Sequence, residues 1–198
     1  RRTMSELLVN TIKKADGTGG LTVPTTAGNI VTTGGATFTG AVTGTDLTLS
    51  GGVYLGGTGS DNYLDDYEEG TWTVAITGST SGSSSIGTLG EARYIKIGRF
   101  VSIRLEATNI SKNTLSGSIV IGNLPFAEPN IGNPTGNIRW GNISGPGSST
   151  QIMPFIPKSG STIELQGFDV NGYQGGVTDA HLSSSYNIYS IDIVYQVA

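Results

Sequence analysis

The chain has 198 residues, which suffice for one globular domain with an appendage or for two small domains. None of the residues is cysteine, so disulfides, thiolate metal sites and cysteine nucleophiles are excluded. The formal net charge of -4 predicts no binding of nucleic acid, and no apolar stretch has the length that membrane insertion needs. The 31 glycines and the abundant Ser, Thr and Asn favour strands, turns or linker over helix.

Residues 27–60 carry an internal repeat in a stretch whose only charged residue is Asp46. The segments "NIVTTGGATFTG" (29–40) and "DLTLSGGVYLGG" (46–57) align with their paired glycines in register. Each repeat predicts a short strand, a Gly-Gly turn and a second short strand. One copy buries too little apolar surface to offset its backbone entropy, so we expect three chains to share one interior in a β shaft. The alternative is a flexible Gly/Thr linker.

The next segment, "DNYLDDYEEGTWT" (61–73), concentrates acidic residues in front of a tryptophan. A calcium site from Asp61, Asp65 and Asp66 is one interpretation, but their spacing misses the EF-hand pattern. A glycosidase pair is another, and it needs two carboxylates held roughly 5 to 9.5 Å apart in a groove. The residue types favour a third interpretation, a turn-rich neck over residues 61–70, because Asp and Asn bond to nearby backbone amides at turns.

In this neck the acids are expected to pair with Arg93, Lys96 or Arg99 of a neighbouring chain, while apolar side chains pack under the first strand of the next domain. The residues assigned to the neck and to trimer contacts are Asp65, Asp66, Tyr67, Glu68, Glu69 and Trp72.

Residues 71–198 show strand patterns of period two and no helical stripe. "TWTVAIT" predicts one strand, and "ARYIKIGRFVSIRLEA" predicts a hairpin around Gly98 and Arg99. The expected inward-facing residues are Trp72, Val74, Ile76, Val101, Ile103, Leu105, Ile119, Ile121, Ile163, Leu165, Ile191, Ile193, Tyr195 and Val197. The predicted fold class is all-β, with the Gly/Thr-rich trimeric β shaft followed by an antiparallel, jelly-roll-like β-sandwich.

Two of these motifs carry a family resemblance. "YLDDYEEGTWT" followed by "EARYIKIGRFVSI" resembles the start of the C-terminal domain of tailed-phage tail fibers, where an acidic LDDYEEGTWT element precedes a Tyr-x-Lys-x-Gly-Arg strand. The elements correspond here to 64–73 and 94–99. The Gly/Thr repeats and "LLVNTIKKADGTGG" are similar to the shaft and leader segments of the same proteins. The resemblance covers roughly the first half of the chain.

The resemblance implies a homotrimer in the virion, on the phage tail or the capsid surface. Residues 1–26 would attach it to a tail or other virion protein, 27–60 would form the shaft, 61–70 the neck, and 71–198 a knob that binds a host surface glycan or protein. A purely structural virion component (adaptor, neck or capsid fiber) and a trimeric cellular adhesin are the alternatives.

Candidate receptor-binding residues lie in two segments that the sequence predicts as knob loops. Aromatic faces stack on sugar C–H surfaces, and amide or carboxylate groups bond to sugar hydroxyls. The segments "NIRWGNISG" and "FDVNGYQGGVTDAH" supply Arg139, Trp140, Asn142, Asn171, Tyr173, Gln174, Asp179 and His181. The alternative for Trp140 and Tyr173 is packing in the core or a trimer interface. His181 is the only histidine and no Gly-x-Ser-x-Gly elbow is present, so neither enzymatic activity nor a cofactor or metal is expected.

Overall fold

The computed structural model describes residues 39–198, apart from the side chain of Asp61. The chain divides into two units, Arg1–Leu47 and Thr48–Ala198. In the first unit, residues 39–47 have exposed side chains and form no regular strand. The predicted attachment segment 1–26 and the first repeat as far as residue 38 lie outside the described residues.

The second unit is built from antiparallel strands, and no α-helix occurs between residues 48 and 198. In chain order the strands are β1 (Val53–Tyr54), β2 (Tyr63–Leu64), β3 (Tyr67–Thr71), β4 (Ala75–Gly78), β5 (Ser85–Ile97), β6 (Phe100–Ser111), β7 (Ile119–Gly122), β8 (Gly136–Ile143), β9 (Gln151–Phe155), β10 (Ile163–Asp169), β11 (Gly172–Gly176) and β12 (Leu182–Gln196). Short 3₁₀ turns cover Ser60–Asn62 and Asp179–His181. The predicted all-β class with antiparallel sheets is confirmed.

One five-stranded sheet has the order β3-β5-β6-β12-β8. Its centre is the β5–β6 hairpin, which turns at Gly98 and Arg99 as the sequence predicts, with Ile97 opposite Phe100. Side chains alternate across the sheet, so Val101, Ile103 and Leu105 of β6 are buried and Ser102 and Arg104 are exposed.

The second five-stranded sheet contains β4, β7, β9, β10 and β11. Strand β10 pairs with β7, β9 and β11, and β7 also pairs with β4. Ile119, Ile121, Ile163 and Leu165 of this sheet are buried. They join the buried residues of the first sheet in one hydrophobic core, where each large side chain contributes about 1.5–3 kcal/mol by leaving water.

The segment "TWTVAIT" is not the single strand that its alternation predicts. Strand β3 ends at Thr71 in the first sheet and β4 begins at Ala75 in the second, so residues 72–74 carry the chain from one sheet to the other. Trp72 lies in this crossing and is buried in the core. Alternation of apolar side chains persists through the crossing because both sheets border the same core.

Two segments predicted as loops are strands. Residues 136–143 form β8, which pairs with β12, and residues 172–176 form β11, which pairs with β10. Both segments are rich in Gly and Asn, residues with low strand propensity, and pairing with long neighbouring strands overrides that preference. Within β8, Ile138 and Trp140 pack against the core.

The loop 123–135 between β7 and β8 folds around Glu128, which is only 3% exposed. Its carboxylate accepts four backbone N–H bonds of 2.7–2.8 Å, from Asn130, Ile131, Gly132 and Ser159. Burial acts to raise the pKa of Glu128, but these four bonds outweigh it and the pKa is lowered. The ionised carboxylate therefore organises this loop.

In the single chain, the second repeat, residues 46–57, contains one short strand, and the strand-turn-strand unit expected when three chains share an interior stays a prediction. Only Val53–Tyr54 is a strand, and it pairs with Tyr63–Leu64 rather than with residues before the Gly-Gly. Leu49, in front of the glycines, is 49% exposed. A single chain offers this stretch too few apolar neighbours to hold a second strand in place.

Candidate functional site

The acidic segment is an integral part of the first sheet over Tyr67–Thr71, where a turn was predicted. Strand β3 pairs with β5, so Glu68 lies opposite Lys96 and Gly70 opposite Tyr94. Asp66 accepts a salt bridge from Lys96, and Glu68 accepts a hydrogen bond from the Tyr94 hydroxyl. Asp66 and Glu68 thus both have partners on the neighbouring strand β5. These contacts explain why an acid-rich segment can form a strand.

Lys96 is the most buried cation of this region, with 8% of the residue exposed. Its ammonium contacts the Asp66 carboxylate and lies 5.6 Å from the centroid of the Phe126 ring. The Tyr94 ring meets Phe126 edge-on at 5.4 Å. These contacts join the acidic segment, the Tyr-x-Lys strand and loop 123–135 into one packed unit.

Gly70 of the acidic segment is required by a close approach. A Cβ atom at this position would lie 2.8 Å from the Tyr94 hydroxyl oxygen and 2.9 Å from its ring. Since real Cβ atoms do not come so close to other atoms, a larger residue at position 70 would displace the Tyr94 ring from the position in which it crosses strand β3 and reaches Glu68.

Within the single chain, Asp66 and Glu68 have the partners just described, and pairing of these acids with Arg93, Lys96 or Arg99 of a neighbouring chain stays a prediction. Arg93 is 3.5 Å from Glu91, and Arg99 donates to the Val197 carbonyl at 3.2 Å. Asp65 is exposed between β2 and β3. On the outer face, the Tyr67 hydroxyl donates to Glu69 at 3.0 Å, and this bond raises the pKa of Tyr67.

A charged network crosses the outer face of the first sheet beside these residues. Arg104 donates to Asp192 at 3.0 Å and to Glu91 at 2.9 Å. The charge of Asp192 and the bond to Glu91 raise the pKa of Arg104, so the guanidinium stays charged. The network lines a shallow depression of about 520 Å³. Its paired charges are suited to polar contacts with another surface and leave no free carboxylate pair around Arg104.

The predicted receptor residues of β8 point to different environments. Arg139 is exposed and its guanidinium carbon lies 4.9 Å from the centroid of the Tyr189 ring. Trp140 packs against the core, and its indole N–H donates to the Ile143 carbonyl at 3.0 Å. This placement favours the packing role that the sequence left open for Trp140.

Asn142 and His181 line one open depression of about 350 Å³. The His181 Nδ1 accepts the backbone N–H of Thr178 at 2.9 Å, which holds the ring over the 3₁₀ turn. Asp179 accepts the Gly117 N–H at 3.0 Å and serves to join two loops. His181 and Asp179 therefore have backbone partners that account for their positions.

The remaining predicted residues, Asn171, Tyr173 and Gln174, lie together on the β10–β11 hairpin. Tyr173 stands opposite Phe168, and the two ring centroids are 5.8 Å apart. Tyr173 is 59% exposed, and Val170 at the tip is 94% exposed. The hairpin thus presents an aromatic face and an apolar tip to solvent.

Asp169 provides the fixed polar group of this hairpin. Its carboxylate accepts the Ser148 hydroxyl, and it accepts the backbone N–H of Asn171 at 2.7 Å. The Ser148 bond, followed by the Asn171 bond, lowers the pKa of Asp169. An anionic acceptor is therefore held at the turn end of this hairpin, where Asp169 lies opposite Gly172.

The loop 144–150 packs against the same hairpin. A Cβ atom on Gly167 would lie 2.3 Å from the Ser149 hydroxyl oxygen and 2.5 Å from the Pro146 ring, so glycine is needed for the loop to approach β10. Ser149 donates to the Pro146 carbonyl at 2.6 Å, which closes the loop. The end of the hairpin and the adjacent loop are here called the hairpin surface: Ser148, Asp169, Val170, Asn171, Tyr173 and Gln174.

Sequence reasoning missed Ser148, Asp169 and Val170 as members of the hairpin surface. The segment "FDVNG" holds a usable signal, because Asp before Asn-Gly is typical of a hairpin turn whose carboxylate bonds to the turn backbone. Ser148 carries no such signal, since its approach depends on packing between separate parts of the chain.

No group of three or more His, Asp or Glu residues is arranged to hold a metal ion in residues 39–198. In the same part of the chain, no helix has the length and hydropathy of a membrane span. No protein-family model matches the chain, and no curated protein or solved structure shows significant similarity to it. The family resemblance therefore stays a prediction from the motifs.

Proposed function

We propose that this chain is a non-enzymatic phage tail fiber protein that assembles as a homotrimer. Its N-terminal part attaches to the virion, and its C-terminal part, a jelly-roll-like sandwich knob, binds a glycan or protein on the host surface. The single observation that carries the proposal is the contact between the two motifs of the resemblance. The acidic element and the Tyr-x-Lys-x-Gly-Arg strand are paired neighbours, joined by Asp66 with Lys96 and by Glu68 with Tyr94.

This pairing gives both motifs one physical role. Asp66 neutralises the mostly buried Lys96 ammonium, and Gly70 makes room for the Tyr94 ring. The residue types of each element are therefore explained by contacts with the other element. This supports the interpretation that the two elements are one motif rather than two chance matches.

The exposed apolar side chains at the start of the second unit support the proposed trimer. In residues 48–64, Leu49, Tyr54 and Leu55 are 49%, 51% and 58% exposed. Three aligned copies would bury these side chains against one another, each large side chain gaining about 1.5–3 kcal/mol when fully buried. The shaft over 27–60 and the neck over 61–70 are parts of this proposal, with residues 67–70 of the neck contributing to the first sheet of the knob.

The hairpin surface is the proposed receptor site. The Tyr173 ring offers a stacking face, and Asp169, Asn171 and Gln174 offer acceptors and donors for hydroxyl groups on the same hairpin. Backbone and hydroxyl bonds hold Asp169 in place before any ligand arrives, which lowers the entropic cost of binding.

The test uses the purified full chain, labelled with a fluorophore, on a panel of bacterial cells and purified lipopolysaccharides. We expect a trimeric mass by light scattering and binding to at least one surface. Tyr173→Ala is expected to weaken this binding about tenfold or more, while Tyr173→Phe, which keeps the ring, retains most of it. Equal binding by Tyr173→Ala, at unchanged thermal stability, would contradict the proposed site.

The same experiment separates the alternatives. Binding only to purified virion parts would instead favour a purely structural component such as an adaptor, neck or capsid fiber. The Arg104 network gives this alternative its specific support, since its paired charges on an open sheet face suit a protein surface. A gene neighbourhood without virion genes would favour a trimeric cellular adhesin.

A further inference from the structure

The outer face of the first sheet carries a contiguous apolar patch. Tyr67 lies opposite Ile97, and Ile97 lies opposite Phe100. In the next row, Ile95 and Val194 flank Ser102. Directly opposed side chains in antiparallel strands are about 4.5–5.5 Å apart at Cβ, and diagonal neighbours, as Ile95 and Val194 are to Phe100, are about 7–8 Å apart. The five apolar side chains therefore form one surface. The apolar patch is Tyr67, Ile95, Ile97, Phe100 and Val194.

The patch is comparable in area to the largest apolar patch that a typical monomer exposes. Its five residues are 58%, 45%, 51%, 56% and 59% exposed, in the order of the definition. Together they expose on the order of 500 Å², at the upper end of the largest patch on a typical monomer, about 300–600 Å². With a polar rim, this approaches the roughly 800 Å² that each partner buries in a stable protein interface.

A recess adjoins one end of the patch. Phe100 and Val194 line it together with Ile131 and Pro134, and its volume is about 350 Å³. Ile131 is 56% exposed. At the other end of the patch, Tyr67 stands on the edge strand β3 and is 58% exposed. An exposed aromatic side chain and an apolar recess on one face are the two complementary halves that a head-to-tail contact between copies needs.

The charges beside the patch fit a copy of the same surface. Glu69, Glu91 and Asp192 alternate with Arg93 and Arg104 around the adjoining depression. Acids and bases are thus nearly balanced, so two such faces do not repel each other and can exchange partners at their rim. A strongly acidic or basic ligand would find no matching field there.

We propose that the apolar patch is the contact between copies of this chain, with Tyr67 of one copy seated in the Phe100–Ile131 recess of the next. Head-to-tail contacts of this kind close into a ring when the rotation between copies allows it. The inference deepens the homotrimer of the proposed function and rests on it, since it assigns the C-terminal contact surface. It also leaves the hairpin surface, on the other sheet, free for a receptor.

The chain has no cysteine, so single thiols report accessibility without background. Ile97→Cys probes the patch, and Leu89→Cys is the matched control because both residues lie on β5 and are 51% and 49% exposed. In the purified full chain, we expect the Ile97→Cys thiol to react with a maleimide at least tenfold more slowly than in denaturant. Leu89→Cys is expected to react at nearly its denatured rate. Val194→Cys repeats the patch measurement on β12.

A second measurement identifies the occupant. The double variant Tyr67→Cys/Ile131→Cys is expected to form covalent multimers up to the trimer on oxidation, while either single variant yields none larger than a dimer. A trimeric mass with equal reactivity at Ile97→Cys and Leu89→Cys would overturn the patch contact and leave the trimer, held by other residues, intact. A monomeric mass would overturn both. Patch protection in a monomer would show that the chain covers its own patch. Only monomers after oxidation would show that Tyr67 of one copy does not meet Ile131 of the next, and either result would overturn the inference.

Discussion

Residues 48–64 and residues 67–198 belong to one unit, yet they differ sharply in how their apolar side chains are used. In the first stretch, two strands of two residues pair only with each other, and the Tyr54 and Tyr63 rings contact at a tilted angle with their centroids 4.8 Å apart. In the second, two five-stranded sheets enclose a common core in which Ile103, Ile188 and Ile191 are at most 1% exposed. Dense apolar alternation lets one chain complete its own core, whereas apolar residues diluted by glycine and threonine leave theirs exposed.

The largest effect on stability is expected from a change in the core between the two five-stranded sheets. Ile103→Ala removes a fully buried side chain from the central strand β6. We expect the free energy of unfolding to fall by about 3–4 kcal/mol through lost burial and the cavity left behind. Denaturant unfolding at fixed protein concentration measures it. A loss below about 1 kcal/mol would show that the site repacks and that the core is less tightly ordered than its burial indicates.

A smaller effect is expected where the acidic segment meets the sheet. Asp66→Asn leaves the Lys96 ammonium, with 10% of its side chain exposed, without its carboxylate partner. We expect a loss of about 2 kcal/mol, less than for a fully buried pair because the Asp66 side chain is 45% exposed. The double variant Asp66→Asn/Lys96→Met removes the stranded charge and should recover most of the loss. No recovery would mean that Asp66 acts through its own backbone rather than through Lys96.

The loop around Glu128 is expected to respond to acid. Because its folded pKa is lowered from the ordinary value of 4.5, the stability that it contributes is complete above that value. It is lost as the pH falls through the lower folded pKa. Glu128→Gln should lower the melting temperature by several degrees at pH 7 and flatten the decline of stability below pH 4.5. Thermal scans from pH 7 to 3 measure both, and parallel declines in variant and wild type would contradict this role.

The smallest effect on stability is expected in residues 48–64, where most apolar side chains are exposed. Leu55 is 58% exposed in the single chain, so Leu55→Ala should leave the unfolding of the two-sheet region within about 0.5 kcal/mol of wild type. We expect Leu55→Ala to weaken association instead, so that the variant trimer begins to dissociate at a higher protein concentration than wild type. Light scattering over a dilution series measures this. Unchanged association would place the shared contacts of the trimer elsewhere.

The period-two patterns were enough to predict the strongest elements of the fold. The hairpin around Gly98 and the buried rows of β6 and β12 follow from local alternation, since every second side chain of a strand faces the same side. The same alternation predicted one strand through Trp72, where the structure has two strands in different sheets. A chain that crosses between sheets keeps its apolar alternation when both sheets border one core.

The candidate sites depended on contacts that local patterns do not contain. Asn171 and Tyr173 were predicted together and lie together, because one hairpin turn places them. Trp140 and His181 were grouped with them by residue type alone, and sheet pairing puts Trp140 against the core and His181 over a 3₁₀ turn. Ser148 joins the hairpin surface only through packing of separate loops.

The amino-acid sequence by itself determined that this chain is β-structured, which side chains its regular strands bury, and where its hairpin turns, since these follow from short-range alternation and turn chemistry. The tertiary structure alone decided the partners of the acidic residues, the strands hidden in Gly- and Asn-rich segments, and the apolar patch on an outer sheet face. Each of these depends on which strands become neighbours and in what register, and pairing between distant residues decides that.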